Sequence, residues 1–200
     1  MGGSSMSKLR CEHPRQGTPF FFEPTQSFDA WELRWLLDYW QGLCDGPNCP
    51  RLIDVGLPAI VRQAPKIIVR DAIDGGRDFV NRFWGSELRN WLGFDGTGQR
   101  ISEYFPQHAR AAMLASQRLA LESDTPVRRW GVTAYPQPNL ATYEAIDLPL
   151  ADDDGARAHV LSMYVYRSDR LDAQPDAAPL PAETGNASSW AARSRHSAES

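Results

Sequence analysis

The chain has 200 residues, a formal net charge of −4 and a sequence pI of about 5.6, and 42% of its residues are apolar. That length suits one ordinary domain with tails, and the apolar fraction is enough for a packed core. No basic stripe points to nucleic acid, no stretch nears the roughly 18 apolar residues of a membrane-spanning helix, and the N-terminus lacks a signal-peptide layout.

The opening Met1-Gly-Gly-Ser-Ser5 reads as an expression remnant, and residues 1–26 as a flexible N-terminus. Phe20-Phe21-Phe22 is an apolar knot between Pro19 and Pro24, for which no regular element is expected. Cys11, Cys44 and Cys49 are odd in number and irregularly spaced. They form neither a disulfide framework nor a zinc motif, and read as reduced thiols of a cytoplasmic protein.

The first strong element runs from Ser27, a plausible N-cap, to about Cys44. On a helical wheel Phe28, Trp31, Trp35, Leu36, Tyr39 and Leu43 form a stripe, and Leu33, Leu37 and Trp40 widen it past half the circumference. One packing surface cannot satisfy so wide an apolar arc: either the helix is sunk in a core, or one side meets its own domain and the other a partner chain. On the second reading Phe28, Trp31, Trp35 and Tyr39 are the expected contacts of a homodimer. Asp54 is expected to cap a short helix through Leu57–Arg62.

Lys66–Ile73 and Asp78–Trp84 read as a strand pair joined by Asp74-Gly75-Gly76, a hairpin signal. Ser86 opens a short helix that Gly93 ends in a left-handed conformation, and Asp95-Gly-Thr-Gly98 is a turn. One helical turn follows at Ile101–Phe105, then a long helix over Gln107–Ser123. Val127–Tyr135, Ala141–Leu150 and Ala158–Arg167 read as strands. The last alternates, with His159, Leu161, Met163 and Val165 on one side and Val160, Ser162, Tyr164 and Tyr166 on the other. The composition of residues 169–200 predicts a disordered tail.

Two strands, short helices, a long helix and three antiparallel strands resemble the PAS domain. More narrowly, the chain resembles a family of compact bacterial proteins built around one PAS domain. The residues that carry this are the aromatic helix Leu36-Leu-Asp-Tyr-Trp40, the Asp54-Val-Gly-Leu-Pro58 segment, the strand ending Arg82-Phe-Trp-Gly-Ser86 and the turn Gly93 to Gly98. The resemblance spans residues 28–168. Asn81 stands where the family usually has an aromatic, and Trp84 where a smaller aliphatic is common; both positions are candidates to face the interior.

The resemblance implies an α+β fold: a PAS domain over residues 65–168, with a five-stranded antiparallel sheet and helices on one face. An N-terminal amphipathic helix lies within a helical segment, residues 27–64. It implies a sensor without an output domain of its own, not an enzyme. Such a domain binds a small molecule, a protein partner or both, and signals through the N-terminal helix and the dimer interface. The alternatives are a structural dimerisation module with a filled core, a haem-binding sensor and a small enzyme.

The candidate ligand-binding residues are Phe79, Arg82, Phe83, Trp91, Met113, Trp130, Tyr143, His159 and Leu161. Arg82 suits recognition of an acidic ligand, or a structural ion pair with an acid such as Glu144 or Asp147. His159 either bonds a ligand or is a satisfied core histidine. No cysteine follows Cys49, which excludes a covalent flavin site. His108, at the start of the long helix, makes a poor haem ligand, and no metal site is expected. Asp152-Asp-Asp154 lacks the ligand spacing of a calcium loop and reads as a solvated turn. No cofactor is identified, and no catalytic motif is present.

Overall fold

The apolar alternation of the strands produces one antiparallel sheet in the computed structural model. The structure describes residues 9–10, 20–46, 48–56, 60–105, 107–132 and 141–168. In chain order the elements are β1 (Leu9–Arg10), β2 (Phe20–Pro24), α1 (Trp31–Leu43), β3 (Ile67–Ile73), β4 (Asp78–Trp84), α2 (Ser86–Leu92), α3 (Ile101–Tyr104), α4 (Gln107–Glu122), β5 (Val127–Val132), β6 (Ala141–Ala151) and β7 (Arg157–Ser168). Short 3₁₀ turns lie at Leu52–Asp54 and Ala64–Lys66.

The spatial order is β1-β2-β5-β6-β7-β3-β4, with every pairing antiparallel. The five strands β5-β6-β7-β3-β4 form the sheet that the PAS resemblance predicts. The Asp74–Gly76 hairpin is present, and Asp74, Gly75 and Gly76 all have positive φ, 53°, 68° and 76°. Gly93 ends α2 with φ 77°.

The sheet is wider than expected, because β2 pairs with the edge of β5 and β1 with β2. Phe20–Phe22 therefore belongs to a strand. Phe20 and Phe22 enter the core beside Val127, while Phe21 stacks on Trp130 at 5.6 Å on the opposite face. Three consecutive phenylalanines look like an unpatterned knot, but on a strand they divide two and one between the faces. The segment also covers main-chain groups that an edge β5 would expose.

Helices cover both faces of the sheet. Helices α2, α3 and α4 pack on the face of Ile68, Phe79, Val127, Ala145 and Val160. Helix α1 packs on the other, where Leu33, Leu36, Leu37 and Trp40 meet Ile67, Ile146, Leu148, Leu161 and Met163. Trp40 Nε1 donates to the buried carbonyl of Pro149 at 2.9 Å, so the indole leaves no orphan donor.

Helix α1 begins three residues later than a Ser27 cap predicts. Ala30 is the N-cap residue and offers no side-chain cap. The cap comes instead from a distant strand: Asp29 N and Ala30 N donate to the Glu144 carboxylate at 2.9 and 2.8 Å. A carboxylate there satisfies orphan N–H groups and suits the positive end of the helix. The proposed helix at Leu57–Arg62 lies partly outside the described residues, and the tail from residue 169 wholly outside them.

Candidate functional site

A bulge decides what β4 shows to each face. Val69 pairs with Phe83 and Arg70 with Asn81, so Arg82 is the extra residue. Without it, Asn81 and Phe83 would share a face. With it, Phe79, Asn81 and Trp84 face the α2–α4 side, while Arg82 and Phe83 both face the α1 side. Asn81 and Trp84, the two departures from the family pattern, are buried in the interior.

On the α1 side lies an apolar cavity of about 520 Å³. Its floor is Ile67, Val69, Leu150 and Leu161 of the sheet, its wall Leu52, Ile53, Val55 and Ile60, and its rim Arg82 and Phe83. Ile67, Ile60, Leu150 and Leu161 are also members of the core cluster that holds α1. The cavity and the helix therefore share side chains. Of its lining, Ile53 and Phe83 are exposed.

Asp71 sits at the β3 end of the same face and accepts from both Arg82 Nε and His159 Nδ1, each at 2.7 Å. Arg82 is about half exposed, not buried, so its ion pair is a surface one with a modest net contribution. Its partner is Asp71, neither Glu144 nor Asp147. Glu144 instead caps α1 and pairs with Arg128 at 2.7 Å.

The α2–α4 side is nearly full. A void of about 40 Å³ remains, walled by Ile68, Arg70, Trp84, Tyr104, Phe105, Met113, Arg129, Tyr143, Tyr164 and Tyr166 among others. Tyr164 stacks on Tyr166 at 6.1 Å, and Tyr166 on Trp91 at 4.9 Å. Trp84 meets Tyr104 edge-on at 5.8 Å.

Behind these rings lies a polar network with no exposed member. Arg129 is paired with Asp147 through two of its nitrogens. Ser162 Oγ donates to Asp147 Oδ1 at 2.6 Å and accepts from Arg70 Nη1 at 2.9 Å. Arg70 also donates to Asn81 Oδ1 and to Gln117 Oε1, both at 3.1 Å. The Tyr164 hydroxyl accepts from Arg129 Nη2 at 2.7 Å and Arg70 Nη2 at 3.3 Å. Burial pushes the Asp147 carboxyl up, but the Arg129 guanidinium and its hydrogen bonds more than offset this, so Asp147 lies below the ordinary carboxyl value. For Tyr164 burial also acts upward, and Arg129 and Arg70 together hold the phenol below its ordinary value. Tyr143, dominated by burial, goes well up.

The nine candidate ligand residues divide between the two faces. Arg82, Phe83 and Leu161 line the α1-side cavity. Met113 and Tyr143 line the interior void, and Phe79 is sealed in the core beside them. Trp91 covers Tyr166 on α2. Trp130 lies under Phe21 with Arg128 over its ring at 5.2 Å, and His159 is held by Asp71. Of the four proposed dimer residues, Phe28 is 4% exposed and packs inside the α1 cluster. Trp31 is 60% exposed, and Trp35 and Tyr39 stack at 5.8 Å beside the cluster.

Sequence reasoning missed the two buried arginines. Arg70 is the lone charge within the apolar face of Ile68, Arg70 and Ala72, a detectable signal. Arg128 and Arg129 are adjacent, so alternation must send one of them inward. Among the described residues no cluster of three or more potential metal ligands occurs. The side chain of His108 lies outside the described residues. No described helix is long and apolar enough to cross a membrane.

No protein-family model matches the chain, and no curated protein matches it. Among solved structures it is similar to an RNA-binding Light-Oxygen-Voltage receptor, at 15% identity and a TM-score of 0.43 over 80% of this chain. The match spans 42% of that receptor's length. It is also similar to a sensory box histidine kinase/response regulator from Burkholderia thailandensis E264, at 14% identity and a TM-score of 0.37, covering 58% of this chain and 87% of that one. At those values the PAS assignment rests on this chain's own topology, five antiparallel strands in the order β5-β6-β7-β3-β4 with α2, α3 and α4 between β4 and β5.

Proposed function

We propose that the chain is a sensory or regulatory PAS-type domain, not an enzyme, whose small-molecule site is the α1-side cavity. The observation that supports this is the cavity's placement. Its volume of about 520 Å³ falls in the range of ligand pockets, and its floor residues Ile67, Leu150 and Leu161 also pack α1. A molecule that fits one packing of α1 better than another shifts the balance between them. The exposed edge of α1, Trp31 with Trp35 and Tyr39, passes the change to a second copy of the chain or to another protein. The ligand class is apolar, because the lining is apolar apart from the rim arginine.

The test begins with purified full-length protein. Denaturing mass spectrometry of a solvent extract identifies a co-purified molecule, and Val69→Trp, which fills the cavity floor, should abolish its retention while leaving a cooperative melt. Retention unchanged by Val69→Trp overturns the assignment of the site. A second reading, a structural dimerisation module, is favoured by the filled interior. A protein that carries no extractable molecule and forms a stable dimer supports that reading instead.

A further inference from the structure

We propose that the interior void on the α2–α4 side is a binding site for one small monovalent anion, of the size of chloride, nitrate or formate. The argument starts from charge. Arg70 and Arg129 are 1% and 0% exposed. Among the described residues they share one buried carboxylate, Asp147. An arginine does not release its proton at ordinary pH, so this network holds two positive charges against one negative; the other buried carboxylate, Asp78, is bonded to the Phe79 amide and to Ser102 instead. Arg129 takes both oxygens of Asp147, and Arg70 reaches that carboxylate only through the Ser162 hydroxyl. Every direct partner of Arg70 is formally neutral: Asn81, Gln117, Ser162 and Tyr164. An unmatched charge in a dry interior carries a large desolvation cost, and an anion beside it removes most of that cost.

The hydrogen-bond count points the same way. Trp84 Nε1 and Gln117 Nε2 are buried donors with no acceptor. This network is thus short of acceptors as well as of negative charge. Arg70, Arg129 and Trp84 all wall the same void of about 40 Å³. That space exceeds what one water needs and suits an ion of one to four heavy atoms. The site is distinct from the α1-side cavity, which lies across the sheet and is nearly all aliphatic, so this inference stands whether or not that cavity binds a ligand.

A rival device would neutralise the core from within: Tyr164, whose hydroxyl receives both guanidinium groups, could itself carry the negative charge. The experiment separates the two. Thermal melts of the full chain are recorded at constant ionic strength while a bulky organic anion is replaced by chloride, nitrate or formate. Site binding predicts a saturable rise of about 5 °C or more once the small anion is ~100-fold above its dissociation constant. Arg70→Met should remove that dependence. Should that variant not fold, crystals of the wild-type chain soaked in bromide give an independent readout, an anomalous peak between Arg70 and Arg129. No anion-selective rise and no bromide peak overturn the proposal. A tyrosinate absorbance at neutral pH that disappears in Tyr164→Phe overturns it in favour of the rival.

Discussion

Replacing Asp147 with alanine leaves Arg70 and Arg129 buried with no described carboxylate between them. Breaking a buried pair in this way costs about 3–5 kcal/mol, and Asp147→Ala should show that loss as a lower urea midpoint with a similar slope. The same residue sets an acid limb. Its folded-state value is depressed relative to the unfolded chain. Its contribution is therefore complete above the unfolded carboxyl value of about 3.9 and is lost as pH falls through the lower folded value. The wild-type urea midpoint should fall below about pH 4, and a folded Asp147 variant should fall less steeply. At this scale the sequence was only partly legible. Alternation correctly separates His159 and Leu161 from Ser162 and Tyr164, but a bulge at Arg82 moves every later β4 side chain by one. Arg82, a candidate for an acidic ligand or a structural ion pair, is half exposed, and the buried arginines stood in strands where no ligand motif drew attention to them.

Helix α1 was legible as an element but not in its placement. Its apolar arc divides in two: Leu33, Leu36, Leu37 and Trp40 are buried on the sheet, while Trp31 stands exposed. Leu36→Ala should cost about 2–5 kcal/mol, as for other fully buried leucines. Trp31→Asp should stay within about 0.5 kcal/mol of wild type and should weaken the proposed dimer, read as a smaller mass by light scattering. A strict monomer in the wild type removes the basis for that dimer. Where the helix starts was illegible because its cap, Glu144, lies on β6 far along the chain. The link between β4 and α2 is tighter still. A Cβ on Gly85 would sit 2.2 Å from the carbonyl oxygen of Pro65 and 2.5 Å from that of Ala64. Main-chain atoms cannot rotate away, so Gly85→Ala should lower stability by about 1–3 kcal/mol, measured by chemical denaturation.

Across the whole molecule, the two faces of the sheet carry pockets of opposite character, one roomy and apolar, the other small and lined by rings and arginines. The five-strand order follows from strand signals and the resemblance. The N-terminal strands and the second helical layer do not, because both depend on contacts between distant segments. The interior, where PAS resemblance directs a search for ligand, is packed with aromatic rings and a buried ion network. The roomier cavity lies on the other face, bounded by Leu52, Ile53, Val55 and Ile60 and sharing Ile67, Leu150 and Leu161 with the packing of α1. The most direct test of that coupling is amide hydrogen exchange in the full chain, comparing wild type with Val69→Trp, whose indole occupies the cavity. The account predicts that protection across Trp31–Leu43 changes by about 10-fold or more, while α4 on the opposite face stays within about two-fold. Unchanged exchange in α1, or an equal change in α4, would contradict it.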